Sequence, residues 1–315
     1  MGVGVLRRAL VGLALSLGVA SAAQAGSVAM TFDDLPVSGD LSFADSVTLT
    51  DQLLTGFARA KWPVTGFVNE GQFEGDDTPL EAALLGKWLD AGCDLGNHGY
   101  SHVSLNATPI DAYIADVARG ETLTAALLGA RGRYEKWFRY PYLETGLTAE
   151  VRARFGRWLV AHGYDVAPVT MENSDWQFAE VYDDALRRGD LDGARGIRAA
   201  YLKYTKRVVP WYRKAGRKLL GREPAFVFLL HANRLNADSI DALARILRRQ
   251  HLRPVTLARA MNDPAYRIAD TYVGPDGETW LERWAQSMRR SLPWDTMSAV
   301  PAAIVAADAR LEEPR

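Results

Sequence analysis

Hydrophobic positions along the chain gather into seven short runs, near residues 27–32, 63–68, 93–96, 137–140, 164–169, 225–230 and 253–257. Each is closed by Gly, Pro or polar residues. Short runs without apolar–polar alternation predict strands buried on both faces, as in a parallel sheet. Between them, apolar residues recur at helical spacing. Residues 78–91 place Leu80, Leu84, Leu85 and Trp88 on one face, and residues 239–250 do the same with Ile240, Leu243, Ile246 and Leu247. Residues 107–128 form a third such stretch. Strand–helix alternation predicts an α/β fold with a parallel sheet, either a barrel or doubly wound. The longest strand-free interval, 178–223, is rich in Arg, Lys, Ala and Tyr. It predicts a helical insertion beside the sheet, with a structural role expected over shaping of a cleft. Trp280 and Trp284, four apart, predict a helix docked on the core.

Composition narrows the class. The chain has 315 residues, 48% hydrophobic and 24% charged, which is enough apolar content for a sizeable core. A net charge of −1 leaves no basic excess, so neither nucleic acid nor an anionic membrane is an expected partner. The first 25 residues stand apart. Arg7 and Arg8 precede an apolar stretch over 9–20 and a small-x-small site, Ala23-Gln24-Ala25. This predicts a signal peptide, too short to span a bilayer, and hence an exported protein, periplasmic or secreted, with no membrane insertion after cleavage. The single cysteine, Cys93, allows no intrachain disulfide and is expected to serve as a small core hydrophobe.

The candidate chemistry lies where the predicted strands end. Asp33 and Asp34 close the first run. His98 and His102 follow the third, Arg139-Tyr140-Pro141-Tyr142 the fourth, and Asn173-Ser174-Asp175-Trp176 the fifth, while His231 closes the sixth. In a parallel α/β barrel the C-terminal strand ends converge on one face, so these scattered clusters are expected to share a pocket. His98 and His102, at i and i+4, can present both imidazoles to one ion. A third ligand is required, and Asp33 or Asp34 can supply it. A cation held by one carboxylate relieves the repulsion between the pair and leaves the other free as a base towards water. His162 and His251 precede strands and are read as structural or exposed. Asn233 and Asn236 are open between substrate contact and loop support, and the Leu235–Ser239 stretch offers a cap for a helix starting near Ser239. Asn69 and Tyr100 are further candidates for the cleft.

Taken in order, TFDD, HGYSH, RYPY, NSDW and LLH resemble the five motifs of the polysaccharide deacetylases with a NodB-type domain, the carbohydrate esterase family 4 type. The resemblance implies a distorted (β/α)7 barrel over 26–261; the helical insertion 178–223 and a C-terminal helical extension over 262–315 lie outside the family's minimal domain. It implies metal-dependent hydrolysis of the N-acetyl amide of amino-sugar glycans, such as chitin-type oligomers or peptidoglycan. By the same resemblance Asp33 is the base, and Asp34, His98 and His102 hold a divalent metal, zinc by default. Arg139 orients Asp33 and keeps it ionised, and the Tyr142 N–H contributes to an oxyanion hole. His231 is the acid, with Asp175 holding its imidazole, and Trp176 and Leu229 form apolar walls. Two departures touch the pocket: Leu35-Pro36 stands where the first motif usually continues with Gly, and Gly99 where Ser or Thr usually follows the first His. Other members of the fold act on small or cyclic amides, so cleft shape must discriminate. An inactive glycan-binding protein is a further alternative, against which the complete residue set argues. The glycan, the metal and the oligomeric state are left open.

Overall fold

The computed structural model describes residues 26–39, 41–73 and 78–312. The expected signal peptide, residues 1–25, lies outside the described residues. No helix among them is long and apolar enough to cross a membrane.

All seven predicted strands form: β1 (Gly26–Leu35), β2 (Val64–Val68), β3 (Asp94–Asn97), β4 (Trp137–Phe138), β5 (Asp165–Val166), β6 (Phe226–His231) and β7 (Leu252–Val255). The helices are α1 (Phe43–Ala60), α2 (Thr78–Asp90), α3 (Ile110–Arg119), α4 (Thr122–Gly129), α5 (Ala149–Ala161), α6 (Asp175–Arg187), α7 (Leu191–Leu220), α8 (Arg234–Arg249), α9 (Leu257–Met261), α10 (Trp280–Ser287) and α11 (Ala302–Glu312). Every strand pairing is parallel. β1 is central. Its Val28–Asp33 pairs with Phe226–His231 of β6, its Met30–Leu35 with β2, and its Gly26–Ala29 with β7. From β2 the order continues through β3 and β4 to β5. Past β5 the chain returns to β6: the Met171 N–H donates to the Val227 carbonyl at 3.1 Å, and the Leu229 N–H to the Met171 carbonyl at 3.0 Å. The two ends of the sheet therefore meet, and the fold is a distorted (β/α) barrel, thin where β4 and β5 contribute two residues each.

Residue alternation along β1 sorts the core from the chemistry. Phe32 packs outward under the helices, 4.8 Å from the Phe57 ring of α1, with Trp88 of α2 closing the cluster 5.4 Å from Phe57. Asp33, next in the chain, takes the opposite side. Phe32 and Trp88 are fully buried. Phe32→Ala is expected to cost about 3–5 kcal/mol of folding stability. Urea denaturation measures this, and a loss below about 1 kcal/mol would mean the cluster does not anchor the first strand.

Three sequence expectations are revised. Residues 107–128 are not one helix but α3 and α4, broken at Gly120. There a Cβ would lie 2.7 Å from the Tyr100 nitrogen and 2.8 Å from the Gly99 carbonyl carbon, so close approach of the preceding loop demands glycine. The helix expected near Ser239 starts at Arg234, because the Asn233 side chain accepts the Asn236 N–H at 2.8 Å and caps it. The 178–223 interval is helical, but its first helix already begins at Asp175, inside the fourth motif. Cys93 is buried in the core, and burial pushes its thiol up to about 12, which makes it inert near neutral pH. Trp280 and Trp284 are both buried against the barrel.

Candidate active site

Asp33, at the end of β1, is 2% exposed. Its carboxylate accepts from Arg139 Nη1 at 3.2 and 3.4 Å. Arg139 is itself fully buried and held on every side. Nε donates to the Ala167 carbonyl at 2.7 Å and Nη2 to Thr31 Oγ1 at 3.1 Å, while the guanidinium lies 4.6 Å from the Phe67 ring centroid. Burial raises Asp33 to about 6, against the pull of Arg139 and His231. A carboxylate poised near neutrality is suited to accept a proton.

Asp34, His98 and His102 face one another. Asp34 Oδ1 lies 3.6 Å from His98 Nε2 and 3.5 Å from His102 Nε2, and the three donor atoms fall within 4.8 Å of one another. Ligands about 2.0–2.1 Å from a tetrahedral zinc stand roughly 3.3 Å apart, so the spacing fits such an ion with little adjustment. The chemistry of the donors agrees. Asp34 Oδ1 is buried without a hydrogen-bond partner. His98 Nδ1 bonds the Arg139 carbonyl at 2.9 Å, which fixes the tautomer and leaves Nε2 to face the ion. Burial, reinforced by His102, pushes His98 down to about 3, and burial lowers His102 as well, so both are neutral as ligation requires. For Asp34, burial opposes ionisation, but the charged His231 imidazole leads the groups that outweigh it and lowers its pKa. The φ angles of Asp34 and His102, 63° and 51°, are left-handed, and such strain at non-glycine residues clusters at functional sites.

The loop bearing both histidines is held from behind. Asp116 of α3 accepts the Tyr100 N–H at 2.9 Å and the Ser101 N–H at 3.1 Å, Asn97 Oδ1 accepts the Gly99 N–H at 2.7 Å, and Asn69 Nδ2 donates to the His98 carbonyl at 2.7 Å. Asn69 is therefore a support, and Tyr100 carries the Arg119 guanidinium 3.5 Å above its ring.

Opposite the ion site, His231 Nδ1 bonds Asp175 Oδ1 at 2.9 Å, and the His231 N–H donates to Asp175 Oδ2 at 2.8 Å. Asn233 and Asn236 both donate to Asp175 Oδ2, and Asn236 also donates to the His231 carbonyl at 2.9 Å. These asparagines support the pair and are buried. Burial alone lowers His231, but the Asp175 charge and hydrogen bond overcome it and raise it to about 10.

A cavity of about 700 Å³ joins these groups. Asp33, Asp34, His98, His102, Asp175 and His231 line it, with Tyr142, Trp176 and Leu229 on its walls. Arg139 touches it only through Asp33. Five clusters separated by up to 198 residues in sequence thus meet at the C-terminal ends of the strands. Over residues 20–167 the chain matches the family model described as polysaccharide deacetylase. Over that segment it is similar to the polysaccharide deacetylase family.

Solved deacetylases extend the likeness past the matched segment. The structure is similar to the chitin deacetylase of the fungal pathogen Colletotrichum lindemuthianum, at 20% identity and TM-score 0.53, covering 76% of this chain and 89% of that one. It is similar to a polysaccharide deacetylase of Bacillus cereus, at 18% identity and TM-score 0.50, over 73% of this chain and 91% of that one. A CE4 family pseudoenzyme of Bacillus anthracis shares the fold at 14% identity and TM-score 0.51, over 76% and 66%. At these identities the likeness is one of fold. No curated protein matches the chain.

Within this barrel some cavity residues carried no sequence signal. Glu172 precedes the fourth motif, Glu180 comes from α6, and Gly277, Thr279 and Glu282 come from the C-terminal extension. The 178–223 helices therefore do more than brace the barrel: α6 supplies wall, and Tyr201 and Thr205 of α7 receive the Asn173 amide at 2.9 and 3.0 Å. His162, exposed and stacked 4.2 Å from Trp158, and His251, also exposed, lie away from the cavity.

Proposed function

We propose that the protein is an exported, metal-dependent hydrolase that removes acetyl groups from the amino sugars of a glycan, of the chitin-oligomer or peptidoglycan kind. One observation carries the reading. The Asp34–His98–His102 triad shares a cavity with a buried Asp33–Arg139 pair on one side and a His231–Asp175 pair on the other. Fold alone would not carry it, since one similar structure is described as a pseudoenzyme. The complete set of titratable groups in this chain does.

A divalent cation bound by Asp34, His98 and His102, zinc by default, supplies Lewis acidity to the acyl carbonyl and lowers the pKa of water. Asp33, fixed by Arg139, accepts the proton of the attacking water. Tyr142 lines the same cavity, and its N–H would receive the developing oxyanion. His231, protonated through its contact with Asp175, presents Nε2 as the donor to the departing nitrogen, since Nδ1 is engaged. Trp176 and Leu229 offer apolar surface to the acetyl methyl group.

The test is acetate release from chito-oligosaccharides and peptidoglycan fragments, with zinc, with chelator, and beside His98→Ala. Chelation is expected to abolish release and zinc to restore it, and His98→Ala is expected to lower bound zinc below one per chain. Release that resists chelation in zinc-free protein would overturn the metal assignment. A cavity of about 700 Å³ lies within the range that holds a drug-sized ligand. It suits a chain end or short oligomer, and it also admits the second reading, a small or cyclic amide. Ring opening of a cyclic amide, with no acetate from any glycan, would select that reading.

A further inference from the structure

The matched family segment ends at residue 167, yet the C-terminal extension reaches the turn that carries Tyr142. At Gly277 an added Cβ would fall 1.6 Å from the Tyr142 carbonyl oxygen, so the extension backbone lies directly against that turn. The turn, Pro141–Leu143, is strained: Tyr142 and Leu143 have φ of 55° and 57°, a region that residues with side chains avoid. Such conformations persist only where their surroundings over-determine them.

Arg283 of α10 supplies much of that constraint. It is fully buried. Nη2 donates to Thr145 Oγ1 at 2.7 Å, and Nη1 approaches the Leu143 carbonyl at 3.5 Å. Nε and Nη2 donate to Asp270 Oδ2 at 2.9 and 2.7 Å, and Asp270 also receives Arg152 at 2.9 Å. The guanidinium lies 4.4 Å from the Trp280 ring centroid and 5.0 Å from that of Tyr272. A buried ion pair is weak evidence of a role in stability. The informative donors are those that leave the pair and reach the residues just after Tyr142.

We propose that Arg283 is a positioning residue, which acts with the close approach of Gly277 to hold the Tyr142–Leu143 turn in its strained shape and so aim the Tyr142 N–H into the cavity. The role of that N–H rests on the deacetylase reading, whereas the holding of the turn does not. The active site is then completed by a segment far outside the family motifs.

The test uses the full, zinc-loaded protein with Arg283→Lys and Gly277→Ala. Gly277→Ala leaves the buried ion pair intact and decides the matter if Arg283→Lys does not fold. Two readouts are taken: amide hydrogen exchange over residues 139–146, and steady-state acetate release. Faster exchange across that segment is expected, with kcat lower by roughly 10–100-fold and with KM and zinc content unchanged. A lowered melting temperature with wild-type kcat and wild-type exchange at 139–146 would reduce Arg283 to a stabilising residue and overturn the proposal. If the wild type releases no acetate, the deacetylase reading is what fails, and exchange at 139–146 still decides whether the turn is held.

Discussion

Asp33→Asn is expected to lower kcat by about 10²–10⁴-fold, the range for loss of a positioned general base, while zinc content stays at the wild-type level. Asn keeps the shape of Asp and one acceptor oxygen towards Arg139 Nη1, but it carries no charge and its amide cannot take a proton from water. The ion ligands Asp34, His98 and His102 are untouched, so a loss of turnover without a loss of metal isolates the proton-transfer role. The substitution also leaves the Arg139 charge in a fully buried site without its 3.2 Å partner. Removing one member of a buried pair typically costs about 3–5 kcal/mol. Activity must therefore be measured well below the melting temperature of the variant, with melting followed separately. An Asn variant that turns over like the wild type would take the base role away from Asp33.

The parts of this site that could be read from sequence share a physical cause. Residues 27–32 and 225–230 are apolar because strands covered on both faces admit little else, so barrel strands show themselves one at a time. His98 and His102 are four apart because a single short loop must aim both rings at one point. Neither fact needs knowledge of the rest of the chain. What could not be read depends on partners far away. Thr31 looks like any strand threonine until its hydroxyl is seen under Arg139, 108 residues on. Asn236 looks like a helix cap until it is seen on Asp175, 61 residues back. Gly120 breaks a helix whose periodicity continues through it, because Tyr100 presses on it from another loop. The extension reads as a docking helix from its two tryptophans. Its contact with the Tyr142 turn is invisible, because Arg283 and Leu143 lie 140 residues apart. Strand positions and ligand spacing are local, whereas the hydrogen bonds that aim catalytic groups are not.

His231 yields the second large effect, and it is readable in pH. His231→Ala is expected to lower kcat by about 10²–10⁴-fold, because the departing sugar nitrogen loses its proton donor. Asp175→Asn is the more informative variant. In the native site burial pulls His231 down, but Asp175 overcomes it and holds the imidazole at about 10, well above its ordinary 6.5. The acid is then charged across the neutral range, and activity should fall on the alkaline side only as pH rises through about 10. Without the Asp175 charge and hydrogen bond, only the Asp34 and Asp33 charges are left to oppose burial, and His231 drops. The alkaline limb of kcat should then move several pH units towards acid, while the zinc content holds. Stability follows the same sign. A histidine raised on folding contributes stability that is fully present below 6.5 and is lost as pH rises through about 10. The melting temperature of Asp175→Asn should thus fall furthest below wild type between about pH 4 and 6.5, where Asp175 is ionised and His231 charged, with the gap closing as the wild type passes pH 10 and again as pH falls below the lowered range of Asp175. Profiles of kcat and melting temperature across pH, run on both proteins, check the two limbs together. An alkaline limb at the same pH in both would show that His231 is not the group that protonates the leaving amine.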